Sequence, residues 1–356
     1  MTRTIDVHNH LYPREWINYL EERTQSPRME RTGPTSWVFH SENVPIAHIS
    51  RAGHYDPEAR IEDMDKYGID VQILSLTTPS VELVPAKNGV MRAKKVNDYL
   101  ATVCQKYPKR FYAYATLPYQ AMGEALRELE RAYKDLGVKG IIMFSNINGR
   151  SIASPEFYPI YAEAEEYELP ILIHPAPPLT TDVMKTLRLP PPLFGFVLDT
   201  TMAVISLIFQ GVLEKYPKLK LIHSHLGGVV PYMVGRIDDS FNSYSEEYRF
   251  ELPMAPSEYY KEQVYVDSIS YHLPAMKCCL DWLGPHHIML GTDYAHPIGH
   301  IEEAIRYIRD MGLSEEDTDQ ILGGNATSFQ TRITVIYRRA LPGEIRVLQD
   351  VLLFSA

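Results

Sequence analysis

Cysteine is scarce: 356 residues contain three, Cys104, Cys278 and Cys279, with no Cys-x-x-Cys pair. An odd and sparse set excludes a disulfide framework and a cysteine-rich zinc site, and makes the cytoplasm the expected compartment. Basic runs are missing as well. Lys and Arg number 35 against 45 Asp and Glu, a net charge of −10, so nucleic acid is not an expected partner. No apolar stretch is long enough for a membrane span. The most apolar one, 200–213, is flanked by Asp199 and Glu214 and falls short of the roughly 20 residues a spanning helix needs; it is expected to be a buried helix. The opening MTRTIDVHNH has no apolar signal core. Apolar residues at 45% and charged residues at 22% exclude a disordered chain.

What is present is a repeated alternation. Short β-rich runs occur at 4–9, 70–76, 111–117, 138–144, 170–174, 218–224, 264–269 and 287–292. Segments of helical period lie between them. In 120–136, Met122, Ala125, Leu129, Ala132 and Leu136 share one stripe, and in 87–107 Val90, Ala93, Val96, Leu100 and Val103 do the same. Asp56-Pro57, Ser154-Pro155 and Ser314 before Glu315 and Glu316 are helix starts. Strands alternating with helices make a parallel sheet, and eight strands close into a (β/α)₈ TIM barrel. An open doubly wound sheet is the competing fold. It usually carries a Gly-rich phosphate turn after strand 1, where this chain has His-Asn-His. The expected organisation is one barrel over 1–326, a long loop insertion at 24–56 over the active site, a second ordered loop at 182–198 and an atypical tail at 327–356.

Alternation also tells which side chains share a face. Asp6, His8 and His10 share one in strand 1, Leu172 and His174 in strand 5, and His223 and His225 in strand 6. Gly291 and Asp293 share one at strand 8. In a parallel barrel the C-terminal strand ends meet at one mouth, where active sites lie. His8, His10, His174, His225 and Asp293 are thereby aimed at one point. Neutral imidazoles with a carboxylate suit Zn²⁺ or a similar divalent ion. A further His beside such a site is suited to move protons near neutral pH. His296, three residues past Asp293, is a candidate to line the mouth. His40, His48, His54, His272, His286, His287 and His300 lack a strand-end position and are expected on loops or the surface.

These residues and their order resemble the amidohydrolase superfamily. The resemblance is to the branch of aminocarboxymuconate semialdehyde decarboxylase and related metal-dependent aromatic acid decarboxylases. It is carried by DVHNH (6–10), RIEDMDKYGIDVQILS (60–75), ILIHPA (171–176), SLIFQGVLEKYPKLKLIHSHLGG (206–228), GRIDD (235–239), LGTDYAHP (290–297) and ILGGNA (321–326). The resemblance implies His8, His10, His174 and Asp293 as metal ligands, with His225 as the catalytic imidazole. His223 is the rival for that role; His225 is nearer the mouth and adjoins Gly227-Gly228. It implies Arg51 as a partner of the substrate carboxylate, Arg236 as an arginine that reaches a neighbouring subunit, and a homodimer. Two-metal relatives need a lysine ending strand 4, where this chain has Met143-Phe144-Ser145, so one divalent ion is expected, Zn²⁺ or alternatively Mn²⁺.

The implied activity is removal of CO₂, without redox chemistry, from a small unsaturated or aromatic carboxylic acid. A metal-dependent hydrolase of a lactone, amide or ester uses the same ligands, and the ligand set does not separate the two. A binding or scaffold protein would have eroded ligands, and here all five residues are present. Two departures stand out. Relatives acting on hydroxybenzoates often carry an acidic residue shortly after the strand-6 His, where this chain has Gly227-Gly228. The usual apolar closing helix is replaced by 327–356, either an arm that packs on a partner or an altered reading frame.

Overall fold

The computed structural model describes residues 3–41, 44–248 and 251–329. Eight parallel strands form the centre: β1 (Ile5–His10), β2 (Val71–Ser75), β3 (Phe111–Ala113), β4 (Ile141–Phe144), β5 (Ile171–His174), β6 (Leu221–His223), β7 (Val264–Asp267) and β8 (Ile288–Met289). Each overlaps one of the predicted runs. β1, β2 and β3 pair in that order, as do β4 to β8. Parallel bridges from Ala115 to Ile141 and from Asn9 to Tyr294 close the circle. The result is the (β/α)₈ barrel.

The strands are buried along most of their length because helices cover their outer side. The expected helical stripes form helices Ala86–Lys106 and Met122–Arg131, the latter continuing as a wide turn to Leu136. Helix Pro57–Tyr67 starts as its sequence signals require: the Asp56 side chain accepts from the N–H groups of Glu58 and Ala59. It stops at Gly68, whose φ of 73° suits a residue without Cβ. Ser314 likewise caps Glu315–Asp319. Ser154 precedes a 3₁₀ turn, Pro155–Phe157, without a side-chain cap.

Three expectations need correction. First, 24–56 is not a plain loop. It holds a three-stranded antiparallel sheet of Arg28–Gly33, Ser36–Ser41 and Val44–Ile49. Met29, Trp37, Phe39, Ile46 and Ile49 are its buried side. Polar residues on the opposite side, from Arg28 to His48, dilute the alternation. The sheet is anchored on helix Arg14–Glu21: Trp37 Nε1 donates to Glu21, and the Arg14 guanidinium lies 5.1 Å from the Trp37 ring centre.

Second, 182–198 is a loop only in its middle: its ends belong to helices Thr181–Thr186 and Gly195–Phe209, with 187–194 between them. Third, the helix that includes most of 200–213 is buried on one side only. Ala203, Val204, Leu207 and Ile208 pack on the barrel, while Leu198 and Met202 are exposed. Leu179, Val183, Leu187, Leu193, Phe194 and Tyr232 are exposed large apolar residues as well. A helix apolar all round needs cover on both sides, and one chain covers one. No helix among the described residues is long and apolar enough to cross a membrane. The tail expectation falls mainly on 330–356, outside the described residues.

Candidate metal centre

His8 and His10 stand at the end of β1, His174 ends β5, and Asp293 follows β8. All four are buried, and one potential ligand atom from each lies within 4.8 Å of the others. His8 Nε2 is 3.1 Å from His10 Nε2, and His10 Nε2 is 3.2 Å from Asp293 Oδ1. The His174 ring centre is 5.0 Å from that of His8 and 4.7 Å from that of His10.

The surroundings fix which nitrogen carries each proton. His8 Nδ1 is 2.6 Å from the Asp267 carboxylate, an acceptor, so its proton sits on Nδ1. Ser75 Oγ donates to the Asn9 carbonyl at 2.8 Å and so accepts from His10 Nδ1 at 2.8 Å. His174 Nδ1 is 3.1 Å from the Pro175 carbonyl, again an acceptor. Each ring therefore turns an Nε2 lone pair inward, and Asp293 adds a carboxylate oxygen. Lone pairs without a donor among them repel, and a cation at their centre removes the conflict. Burial, reinforced by neighbouring imidazoles, holds His10 and His174 well below the usual histidine range, in the neutral form that binds metal. Burial raises the Asp293 carboxyl, but the imidazoles beside it, His10 first and then His225, outweigh it and hold the group well below the usual range. These residues fit a divalent ion.

His225 lies beside the cluster by a different route from the expected one. β6 ends at His223, and the next turn takes His225 to φ 55°, ψ 57° and Leu226 to φ 56°, ψ 30°. Strand alternation stops there, so His223 and His225 do not share a face. His225 Nε2 is 3.9 Å from Asp293 Oδ2, and its ring centre is 5.2 Å from that of His8. His223 instead turns Nδ1 to the Tyr260 hydroxyl at 2.9 Å, and burial pushes it down to about 3.

Three further candidates have distinct fates. His296 is half-buried at the mouth, its ring centre 5.1 Å from that of His10. Arg51 points its guanidinium at the loop after β8, donating to the Gly299 carbonyl at 3.0 Å and the Pro297 carbonyl at 3.4 Å. Arg236 is exposed on helix Val230–Tyr248 and makes no ion pair among the described residues.

Two site residues escaped the sequence reading. His54, expected on a loop surface, is fully buried and touches His296. Asp267 ends β7 against His8 and the His225 turn. The strand-end rule that picked out His174 applies equally to Asp267; nothing local marks His54.

The profile of the family described as Amidohydrolase matches residues 5–329. The chain belongs to the amidohydrolase family. Over 339 residues it is 32% identical to 2-amino-3-carboxymuconate-6-semialdehyde decarboxylase of Dictyostelium discoideum, covering 91% of this amidohydrolase and 90% of that protein. It is 29% identical to a gamma-resorcylate decarboxylase of Polaromonas sp. over 283 residues, 76% of this chain and 86% of the other. Among solved structures it resembles 5-carboxyvanillate decarboxylase of Novosphingobium aromaticivorans, complexed with manganese and 4-hydroxy-3-methoxy-5-nitrobenzoic acid. The TM-score is 0.79 at 29% identity, with 92% and 96% of the two chains covered.

Proposed function

We propose that this amidohydrolase is a metal-dependent, non-oxidative carboxy-lyase acting on a small unsaturated or aromatic carboxylic acid. The observation that carries it is the convergence of imidazole lone pairs and a carboxylate, with no donor among them, in a chain whose near-full-length relatives are named decarboxylases. His8, His10, His174 and Asp293 hold one divalent ion in this reading. The nitrogen-rich donor set suits Zn²⁺; Mn²⁺ is the alternative, as in the carboxyvanillate enzyme. Such an ion, when bound, supplies Lewis-acid polarisation of a substrate oxygen.

The remaining work falls to the chain's own groups. His225 holds a proton at Nε2 and delivers it to the carbon whose bond to CO₂ breaks, so the acid leaves as CO₂ and a protonated product. Asp293 faces that imidazole and fixes its edge. Arg51, at the rim, pairs with the substrate carboxylate. His296 contacts the bound acid at the mouth. The enzyme is cytoplasmic and works as a homodimer, with the uncovered apolar face around Gly195–Phe209 as the interface and Arg236 directed toward the partner.

The lack of an acidic residue at Gly227-Gly228 weakens the case for a hydroxybenzoate and favours an unsaturated acid. A Cβ on Gly227 would stand 2.5 Å from the Tyr260 hydroxyl, and one on Gly228 would stand 2.2 Å from Thr201 Oγ1. An acidic side chain has no room at either place. The deciding experiment is CO₂ release by protein loaded with Zn²⁺ or Mn²⁺, with and without chelator. The panel comprises a muconate-semialdehyde carboxylate, 6-methylsalicylate and hydroxybenzoates. Chelator-sensitive CO₂ release is expected, strongest on the muconate. Ring-opened or hydrolysed product from a lactone, amide or ester, without CO₂ from any acid, would assign the site to hydrolysis instead.

A further inference from the structure

Asp267 is a fully buried carboxylate that stands outside the converging ligand set. Its two oxygens are nonetheless saturated. Oδ2 accepts from His8 Nδ1 at 2.6 Å and from the His225 backbone N–H at 3.0 Å. Oδ1 accepts from the N–H groups of Leu226 at 3.0 Å and Ile269 at 2.9 Å. The place is built for it. A Cβ on Gly291, in the neighbouring strand segment, would stand 2.8 Å from Asp267 Cβ and 3.1 Å from His8 Cβ. Ser268 Oγ accepts from Gly291 N–H at 3.2 Å and faces the Gly291 carbonyl at 3.3 Å, tying the two segments together.

We propose that Asp267 is a positioning residue that couples the tautomer of His8 to the placement of the His225 imidazole. The inference rests on the reading of His8 as a ligand and His225 as the proton-transfer group. Two links make the coupling physical. The carboxylate keeps the His8 proton on Nδ1, which leaves Nε2 free for an ion. The same carboxylate takes the N–H groups of His225 and Leu226, two consecutive non-glycine residues in the left-handed region. That conformation is unfavourable for L-residues and persists where the surroundings hold it. Release of those N–H groups lets the turn relax, and the His225 ring leaves its place beside Asp293.

Asp267→Asn tests the idea with almost no change of shape. The asparagine oxygen still accepts from Leu226 and Ile269, but the amide NH₂ now faces His8 and the His225 N–H. It satisfies His8 only by donating to Nδ1, which moves the imidazole proton to Nε2 and blocks ligation. Toward His225 it meets a donor with a donor. Zn²⁺ affinity, read by chelator competition, is expected to fall 10- to 100-fold. At saturating Zn²⁺, kcat is expected to stay at least 100-fold low, while His225→Ala keeps wild-type Zn²⁺ affinity. Wild-type Zn²⁺ affinity in folded Asp267→Asn overturns the proposal, and so does recovery of kcat at high Zn²⁺, because the second link is then absent. Selective ¹⁵N-histidine NMR of the wild-type protein is independent of any variant's folding. An Nδ1–H tautomer at His8 without metal supports the proposal, and an Nε2–H tautomer overturns it. Wild-type-like turnover in His225→Ala sinks the proton-transfer reading whatever Asp267→Asn does, so the two failures are told apart.

Discussion

His54 and His296, 242 residues apart in sequence, meet at the barrel mouth with His54 Nε2 3.4 Å from His296 Nδ1 and their rings inclined at 64°. Burial lowers both below the usual histidine range; charge on His296 further opposes charge on His54, while at His296 the attraction of Asp293 is outweighed by burial. The pair is therefore neutral at neutral pH, and the His296 ring lies beside His10 of the ligand set. His296→Ala is expected to raise KM about tenfold or more with metal content unchanged. His54→Ala is expected to do the same more weakly, by freeing the His296 ring. Steady-state kinetics alongside metal analysis checks this; loss of metal in either variant would place the pair with the ligands instead.

His225 and His223 make a matched pair of controls. His225→Ala is expected to lower kcat by about 10²- to 10⁴-fold, the usual range for a lost proton-transfer group, with metal retained. His223→Ala removes a buried ring and its bond to Tyr260, so it is expected to lower the melting temperature and leave kcat within about threefold. Reversed outcomes would exchange the two roles.

Arg51 is both close to the rim and bonded to the carbonyls of Pro297 and Gly299. As a carboxylate partner, Arg51→Ala raises KM for the acid at least tenfold but leaves binding of a neutral, carboxylate-free analogue intact. Equal loss for both compounds would show that Arg51 only braces the loop. Titration of each compound into metal-loaded variant distinguishes the two.

Glu82 is fully buried, and both its oxygens lack a hydrogen-bond partner among the described residues. Burial pushes its carboxyl up from 4.5 to about 7. A carboxyl raised in the folded state contributes no penalty below pH 4.5. Stability then falls as pH rises toward 7, because the folded chain holds a proton that the unfolded chain releases. Glu82→Gln abolishes this dependence. Its stability relative to wild type is expected to be near zero at pH 4.5 and about 3 kcal/mol more favourable at pH 8. Denaturant melts at the two pH values decide it, and a pH-independent difference would mean that Glu82 ionises without cost.

The apolar face of helix Gly195–Phe209 gives a test of the proposed homodimer. Leu198 and Phe194 are exposed in the single chain. Leu198→Glu or Phe194→Glu is expected to yield monomer in sedimentation velocity while leaving the melting transition of the barrel in place. A variant sedimenting as the wild type would move the interface elsewhere.

The barrel was legible because each strand is a short buried run and each helix carries its own stripe. The ligand candidates were legible for a related reason: His10, His174 and Asp293 stand at or just past strand ends. Three things were not. The antiparallel sheet at Arg28–Ile49 hides behind polar alternate positions. The His225 turn leaves strand geometry through left-handed φ values, which alternation does not foresee. The meeting of His54 with His296 depends on where the 50–56 turn is laid against the loop after β8, a contact that no local pattern encodes.

The closing seam of the barrel has a consequence for synthesis. The His8 carbonyl accepts from the N–H groups of Thr292 and Asp293, and His10 N–H donates to the Tyr294 carbonyl. Gly323 lies where a Cβ would run into the Arg3 carbonyl. A growing polypeptide thus exposes His8 and His10 early and acquires Asp293 only 283 residues after His10, on the order of tens of seconds of ribosomal elongation. Until then the His8 carbonyl lacks its partners and the ligand set lacks its carboxylate. Completion of the candidate ligand set therefore waits for chains translated past the eighth strand, and a prematurely terminated product carries the His-x-His sequence without Asp293.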